Sequence, residues 1–241
     1  MQVHPETLQY AFFDVDGTVI ARDSFRILMR EMILKGNPIR IAIAFVLCVI
    51  LSVGKFMGIV GKTQFKSALL WSATVGMTPR QSLTKIRSVV NEFVKPLWFV
   101  EMGGELERLR NNGMKVCYVS ASGEYWLRVL LKDMDPGAKL IVGSRLMIFF
   151  GGVTLRGPNC LGDEKIRRLR ALLPADTIWS CAYSDHRADL PLLLASRNRV
   201  VVNPTPRNLR AFQNALGSDG FTVAHWTPTQ EKRSQQLKNS Q

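Results

Sequence analysis

The sequence predicts an α/β fold: a Rossmann-like parallel sheet with an all-helical cap inserted after the first strand. Three observations carry this. Leu8 to Phe13 is a short apolar run that stops abruptly at Asp14-Val15-Asp16-Gly17-Thr18, as a buried parallel strand does when it emerges into a tight turn. Residues 22–96 show helical spacing and no strand pattern. From residue 97 onward, short apolar runs alternate with helical segments, the order of a parallel sheet.

The first strand sets the chemistry. Ligands of open α/β sheets bind beyond the carboxyl ends of the strands. Asp14 and Asp16 flank one residue at such an end, and Gly17 lets the chain turn so that both face one site. Desolvating two unpaired carboxylates costs several kcal/mol each. A divalent cation is the obvious counter-charge, although a plain acidic surface turn has the same residues.

The following elements read in order. Residues 22–34 place Phe25, Ile27, Leu28, Met29, Met32 and Ile33 mostly at helical spacing, with Asp23 or Ser24 as the cap and Gly36-Asn37-Pro38 as the break. Ile41 to Val53 is the most apolar stretch of the chain, between Arg40 and Lys55. Lys62 to Trp71 reads as a helix ending near Gly76, and Pro79 opens another at its first position. The core resumes with a helix over Leu97 to Asn111, closed by Gly113. Lys115 to Val119 is a strand ending in Ser120-Ala121-Ser122-Gly123, ahead of a helix over Glu124 to Lys132. Hydroxyls and helix-terminal amides converging there suit a phosphate, although a plain helix cap has the same residues. Leu140 to Val142, Leu146 to Phe150 and Val153 to Leu155 read as strands, with Gly151-Gly152 as a turn. Lys165 lies near the start of a basic helix, Ile166 to Leu173. The strand Ile178 to Tyr183 ends in Ser184-Asp185-His186, with Asp189 four residues beyond Asp185. Arg199 to Val202 is a further strand, and Phe221 to Trp226 an edge strand. The expected division is 1–21 with 97–226 as the core, 22–96 as the cap, and 227–241 as a polar, disordered tail.

Charge narrows the function. The 241 residues carry a net charge of +13, which implies an anionic partner or surface. Between Ala21 and Val100 there are twelve Lys and Arg against Asp23, Glu31 and Glu92. The apolar run shares that segment, and no nucleic-acid-binding motif accompanies it, so nucleic acid is not expected as a partner. Basic flanks around an apolar helix suit an anionic membrane surface. Ile41 to Val53 falls short of the roughly 20 residues of a full span, so spanning, interfacial and buried-core readings all stand. Cys48, Cys117, Cys160 and Cys181 are dispersed, with no ligand spacing to a histidine, and read as reduced thiols rather than a disulfide or zinc framework. Residues 1–7 are polar and do not resemble a secretory leader.

Four strand-end motifs occur in a fixed order: Asp14/Asp16, Ser120, Lys165 and Asp185/Asp189. In that order they resemble the haloacid dehalogenase superfamily, whose first motif is two apolar residues and Asp-x-Asp-Gly-Thr. A helical insertion after that motif is similar to the phosphoserine-phosphatase-like branch. Within it, Cys160-Leu161-Gly162-x-Glu164-Lys165, Tyr183-Ser184-Asp185, Asp189-x-Pro191-Leu192-Leu193 and the apolar cap with Leu70-Trp71 most resemble the phosphatidylglycerophosphatase C family. Ser184 and His186 depart from the Gly-Asp-Gly usual in phosphoserine phosphatases, which sets the serine-phosphate substrate in doubt.

The resemblance implies a Mg²⁺-dependent phosphatase. Asp14 would be the nucleophile, forming an aspartyl-phosphate, and Asp16 the acid and then base. Ser120, Ala121 and Lys165 would bind the phosphoryl group. Asp14 and Asp185, with Asp16 through its main-chain carbonyl, would hold the metal, and Asp189 would orient Lys165 or metal-bound water. The implied substrate is phosphatidylglycerophosphate, in phospholipid biosynthesis at the cytoplasmic face of the inner membrane. The alternative is a cytoplasmic phosphatase of a small phosphomonoester such as phosphoserine or a polyol phosphate. His186 has no role in this scheme.

Overall fold

The computed structural model describes residues 8–35 and 37–229. Gly36, residues 1–7, read as polar and unlike a secretory leader, and most of the expected tail, 230–241, lie outside the described residues. The strands are β1 (Gln9–Phe13), β2 (Lys115–Gly123), β3 (Leu140–Ser144), β4 (Leu146–Phe149), β5 (Gly152–Leu155), β6 (Ile178–Ser184), β7 (Asn198–Val202) and β8 (Thr222–Ala224). The helices are α1 (Ser24–Met29), α2 (Pro38–Phe56), α3 (Lys62–Thr74), α4 (Pro79–Val89), α5 (Met102–Asn111), α6 (Glu124–Met134), α7 (Asp163–Leu172), α8 (Leu190–Leu194) and α9 (Pro206–Leu216).

Six strands form one sheet in the order β3-β2-β1-β6-β7-β8, and every neighbouring pair is parallel. Strand periodicity divides the core between the two faces. Ala11, Phe13, Val116, Tyr118, Cys181 and Tyr183 face α5, α6 and the helical insertion. Tyr10, Phe12, Cys117, Val119 and Ala182 face Leu169 of α7, Leu192 and Leu193 of α8, and Phe212 of α9. A sheet covered on both sides needs apolar residues throughout, which is why these strands read as continuous apolar runs.

Between β1 and α5 lie α1, α2, α3 and α4, with π-helical turns at Arg30–Leu34 and Val90–Val94. Asp23 caps α1, Asn37 caps α2 and Thr78 caps α4, with Pro38 and Pro79 in the first turns. The two ends of the insertion are clasped together. Ala21 N donates to Leu97 O at 2.9 Å and Phe99 N to Val19 O at 3.1 Å.

Two expectations need correcting here. The helix predicted from Leu97 begins only at Met102, because Trp98 and Phe99 are buried in extended bridges to Ile20 and Pro228. Residues 227–229, expected in a disordered tail, are held by that same stretch. Val100 N donates to Thr227 O at 3.0 Å, and Thr229 Oγ1 to Trp98 O at 2.6 Å.

Helix α2 departs from a core helix. It is long and apolar enough to cross a membrane, yet only 6 % of its most apolar stretch is buried. Ala44 is its one buried residue, while Phe45 is 70 % exposed and Phe56 95 %. The buried-core reading of Ile41 to Val53 is therefore set aside.

Candidate active site

The sheet order brings the four motifs together. β1 lies between β2 and β6, with Phe13 level with Tyr118 on one side and Tyr183 on the other. Continuing that register places Ser120 and Asp185 on either side of the loop that begins at Asp14. The loop is tied back to the sheet where Asp14 N donates to Tyr183 O at 3.0 Å.

Lys165 reaches the site from the first turn of α7, with its side chain 1 % exposed. Its Nζ donates to Asp14 Oδ1 at 2.6 Å and to Asp189 Oδ2 at 2.8 Å. Burial alone would pull this ammonium down, but Asp14 and Asp189 outweigh it and raise the lysine above its ordinary range. Ser184 Oγ donates to the same Asp189 oxygen at 2.8 Å. Asp189 thus holds Lys165 by a hydrogen bond, and the serine that departs from the usual glycine holds Asp189. His186 is exposed, and its Nδ1 accepts from Ala188 N at 3.1 Å, capping the turn that delivers Asp189.

Asp16 faces the helical insertion. Its Oδ1 accepts from Ser24 N at 2.7 Å, and its Oδ2 from the Ser122 hydroxyl. Ser24 and Ser122 hydroxyls lie 2.8 Å apart, and Trp126 Nε1 donates to Ser24 Oγ at 3.2 Å. Burial raises the Asp16 carboxyl above its ordinary value, Asp23 adds to this, and the serine hydrogen bonds oppose it only in part. Its side chain is engaged by Ser24 and Ser122, so its main-chain carbonyl is the oxygen left to offer a cation. Ser120, expected just past a strand ending at Val119, lies within β2, which runs on to Gly123; it is buried and its Oγ accepts from Ser122 N at 3.1 Å.

Asp185 lies against the β1 loop. Thr18 Oγ1 is 3.3 Å from its Oδ1 and accepts from its N at 3.0 Å, and Asn208 Nδ2 donates to its carbonyl at 2.9 Å. Burial first, and then Asp189, push the Asp185 carboxyl up to about 7. Burial likewise holds Asp14 well above the carboxylate range, despite Lys165. Four acids thus gather around a single fully buried ammonium. A hard cation fits this donor set, since it would offset the burial and mutual repulsion that now raise Asp14 and Asp185. Among the described residues no three His, Cys, Asp or Glu side chains converge on one ion position. Two carboxylates with carbonyl and water oxygens suit Mg²⁺ better than a cation that demands a full protein cage.

Several residues escaped sequence reasoning. Thr18, Ser24, Ser122 and Ser184 each hydrogen-bond a carboxylate of the cluster: Asp185, Asp16 or Asp189. Lys66 is a correction. It is one of the twelve cations between Ala21 and Val100 that suggest an anionic membrane surface, yet it turns inward from α3. Its Nζ donates to Ala121 O at 2.7 Å and lies over the Phe25 ring at 4.7 Å. Burial lowers this ammonium, while Asp16, Asp23 and Asp14 pull the other way.

A six-stranded parallel sheet with this carboxylate and lysine cluster at its strand ends defines a phosphoryl-transfer hydrolase. Residues 11–194 match the haloacid dehalogenase-like hydrolase family, and the chain belongs to it. It is 29 % identical over 222 residues to a Mycobacterium tuberculosis protein named a "Probable phosphatase", covering 88 % of this chain and 75 % of that one. A Bordetella pertussis protein of unknown function has a similar structure, with TM-score 0.69 at 21 % identity over 90 % of this chain and 98 % of that one. A probable phosphoserine phosphatase from Vibrio cholerae matches with TM-score 0.59 at 15 % identity, over 96 % of this chain and 67 % of that one. The protein is a phosphatase of the haloacid dehalogenase type.

Proposed function

We propose that this phosphatase removes the terminal phosphate of a membrane lipid, phosphatidylglycerophosphate, giving phosphatidylglycerol. The carrying observation is α2: 19 residues, about 28 Å long, apolar, and exposed over most of its surface, within the insertion that Asp16 faces. A soluble enzyme acting on a small polar phosphomonoester needs no such helix. One stripe of α2, through Ala44, Leu47 and Leu51, is at least half-buried, so the helix is held along its length. Such a helix lies in the interface plane with its remaining apolar faces among lipids. Arg40, Arg80 and Lys85 line a cleft of about 650 Å³ near its start, with no carboxylate among the lining residues, which favours an anionic surface.

The chemistry follows from the residues in place. Asp14 Oδ attacks phosphorus in line, the P–O bond to the leaving alcohol breaks, and an aspartyl-phosphate forms. Asp16, its carboxyl raised by burial, gives the departing alkoxide its proton and then takes one from the attacking water. That water breaks the P–O bond to Asp14 and releases phosphate. Lys165, and Ser120 with the amides that follow it, hold the phosphoryl oxygens. Mg²⁺, held by Asp14, Asp185 and the Asp16 carbonyl, would supply charge neutralisation on those oxygens.

The test is phosphate release by the purified protein from phosphatidylglycerophosphate in mixed micelles, against phosphoserine and polyol phosphates in solution. A preference for the lipid of more than about tenfold in kcat/KM is expected. Equal rates, or a preference for phosphoserine, overturn the lipid reading in favour of a soluble enzyme.

A further inference from the structure

The β4–β5 hairpin carries an apolar tip for which the fold has no use. Met147, Ile148, Phe149 and Phe150 are all exposed, Phe150 by 79 %. Phe149 pairs with Gly152, so the turn is Phe150-Gly151, with φ of +40° and +71°. Two positive φ values mark a tight hairpin turn that favours Asn, Asp or Gly at its first position. A phenylalanine there is a backbone outlier, and a strained, exposed aromatic points to function rather than stability.

The tip is also firmly mounted. Trp71 Nε1 donates to Phe149 O at 2.9 Å, and Gly76 N donates to Gly151 O at 3.0 Å. The Trp71 ring occupies the space a Cβ on Gly152 would need, at 2.6 Å. The hairpin is thereby fixed to α3, the helix on which α2 packs. A groove of about 630 Å³ joins the two, lined by Leu47, Ala68, Trp71, Phe149, Phe150 and Leu155 among others. Gly76, the residue that holds the turn, also lines the cleft of Arg40, Arg80 and Lys85.

We propose that the hairpin tip is a second membrane contact, inserting Phe149 and Phe150 into an anionic bilayer beside α2. This rests on the membrane reading of α2 given above. A bilayer fits better than a protein partner because the exposed apolar residues belong to two adjoining elements bordered by cations. Aromatic rings at the boundary with basic groups at phosphate level are how a lipid interface is gripped. Held at two points, the enzyme would present its site in a fixed orientation to the headgroups.

The test is co-sedimentation of the full chain with vesicles of phosphatidylglycerol and phosphatidylethanolamine, alongside thermal melting. Phe150→Asn puts the favoured residue into the turn, so its melting temperature should equal or exceed that of the wild type. Its vesicle affinity should nevertheless fall at least about tenfold, with hydrolysis of a soluble phosphomonoester unchanged. Wild-type affinity in Phe150→Asn, together with release of a variant carrying Val46→Ser, Val49→Ser and Ile50→Ser, overturns the hairpin contact and leaves the α2 reading standing. A wild type wholly in the supernatant at low and high salt overturns both. A wild-type dimer that Phe150→Asn dissociates, without vesicle binding, would make the tip a subunit interface instead.

Discussion

A Cβ on Gly17 would stand 2.4 Å from Asp185 Oδ2, so the backbone of the first motif and the carboxylate of the last are in direct contact. Gly17 also has φ +83°, a region that side chains other than glycine's enter at a cost. The two constraints act together. Gly17→Ala should displace Asp185, lowering phosphatase activity by at least about 10²-fold. The backbone strain alone should destabilise the fold by about 1–2 kcal/mol. Steady-state kinetics over a Mg²⁺ titration and denaturant unfolding check this. Near-normal activity at low Mg²⁺ would remove Asp185 from the metal site.

Lys165 stands between Asp14 and Asp189, and its two partners have different consequences. Asp14→Asn should abolish turnover and leave the fold intact, because Lys165 keeps Asp189 and one crowding charge is gone. Lys165→Met should also abolish turnover, but it strands two buried carboxylates and should cost about 3–5 kcal/mol of stability. Urea denaturation separates the two variants. Excess chelator should silence the wild type as completely as Asp14→Asn does, and activity surviving either treatment would refute the mechanism.

Glu164 precedes Lys165 and ties α7 to the pH dependence of stability. Hydrogen bonds from Arg167 and Arg168 hold its carboxyl down at about 2, against the cost of burial. Arg168 in turn donates to Gly143 O and Pro158 O, each at 2.6 Å, joining α7 to β3 and to the loop between β5 and α7. A carboxyl depressed in the folded state adds stability above its unfolded value of about 4.3. That stability is lost as pH falls from there toward about 2. Glu164→Gln should therefore be less stable at pH 7 and show a shallower loss between about pH 4.5 and 2. Melting temperature against pH for both proteins measures it, and parallel curves would deny Glu164 the role.

Three of the residues legible in the sequence share one property: each follows an apolar run that marks a strand. Asp14, Ser120 and Asp185 come from β1, β2 and β6, which the sheet places side by side. Their meeting follows once the parallel order is inferred. Ser24 was legible only as a helix cap, because its pairing with Asp16 and Ser122 depends on how the insertion folds back. The stretch Trp98–Phe99 looked helical since its apolar spacing fits either period. Its extended form is set by partners at Ile20 and Pro228, far away in the sequence. The exposure of α2 was beyond sequence reasoning, because an apolar run has the same composition inside a core and at a surface.

Lys66 gives the last prediction, because composition and structure assign it opposite duties. As one of the twelve cations between Ala21 and Val100 it would serve the membrane surface. Instead its ammonium is largely buried against Ala121 O and the Phe25 ring, near Asp16. A cation held against Ala121, beside Ser120, is placed to meet a substrate's charge rather than a bilayer. Lys66→Met should therefore reduce kcat/KM by about 10²-fold, the scale of losing one charged donor. Vesicle binding should stay at the wild-type level. Lys55→Gln, by contrast, removes an exposed cation at the end of α2. It should weaken vesicle binding by about 1 kcal/mol and leave hydrolysis of a soluble phosphomonoester untouched. Parallel assays of the two variants decide the matter. If Lys66→Met loses vesicle binding and keeps its activity, the inward placement of this side chain has no part in catalysis.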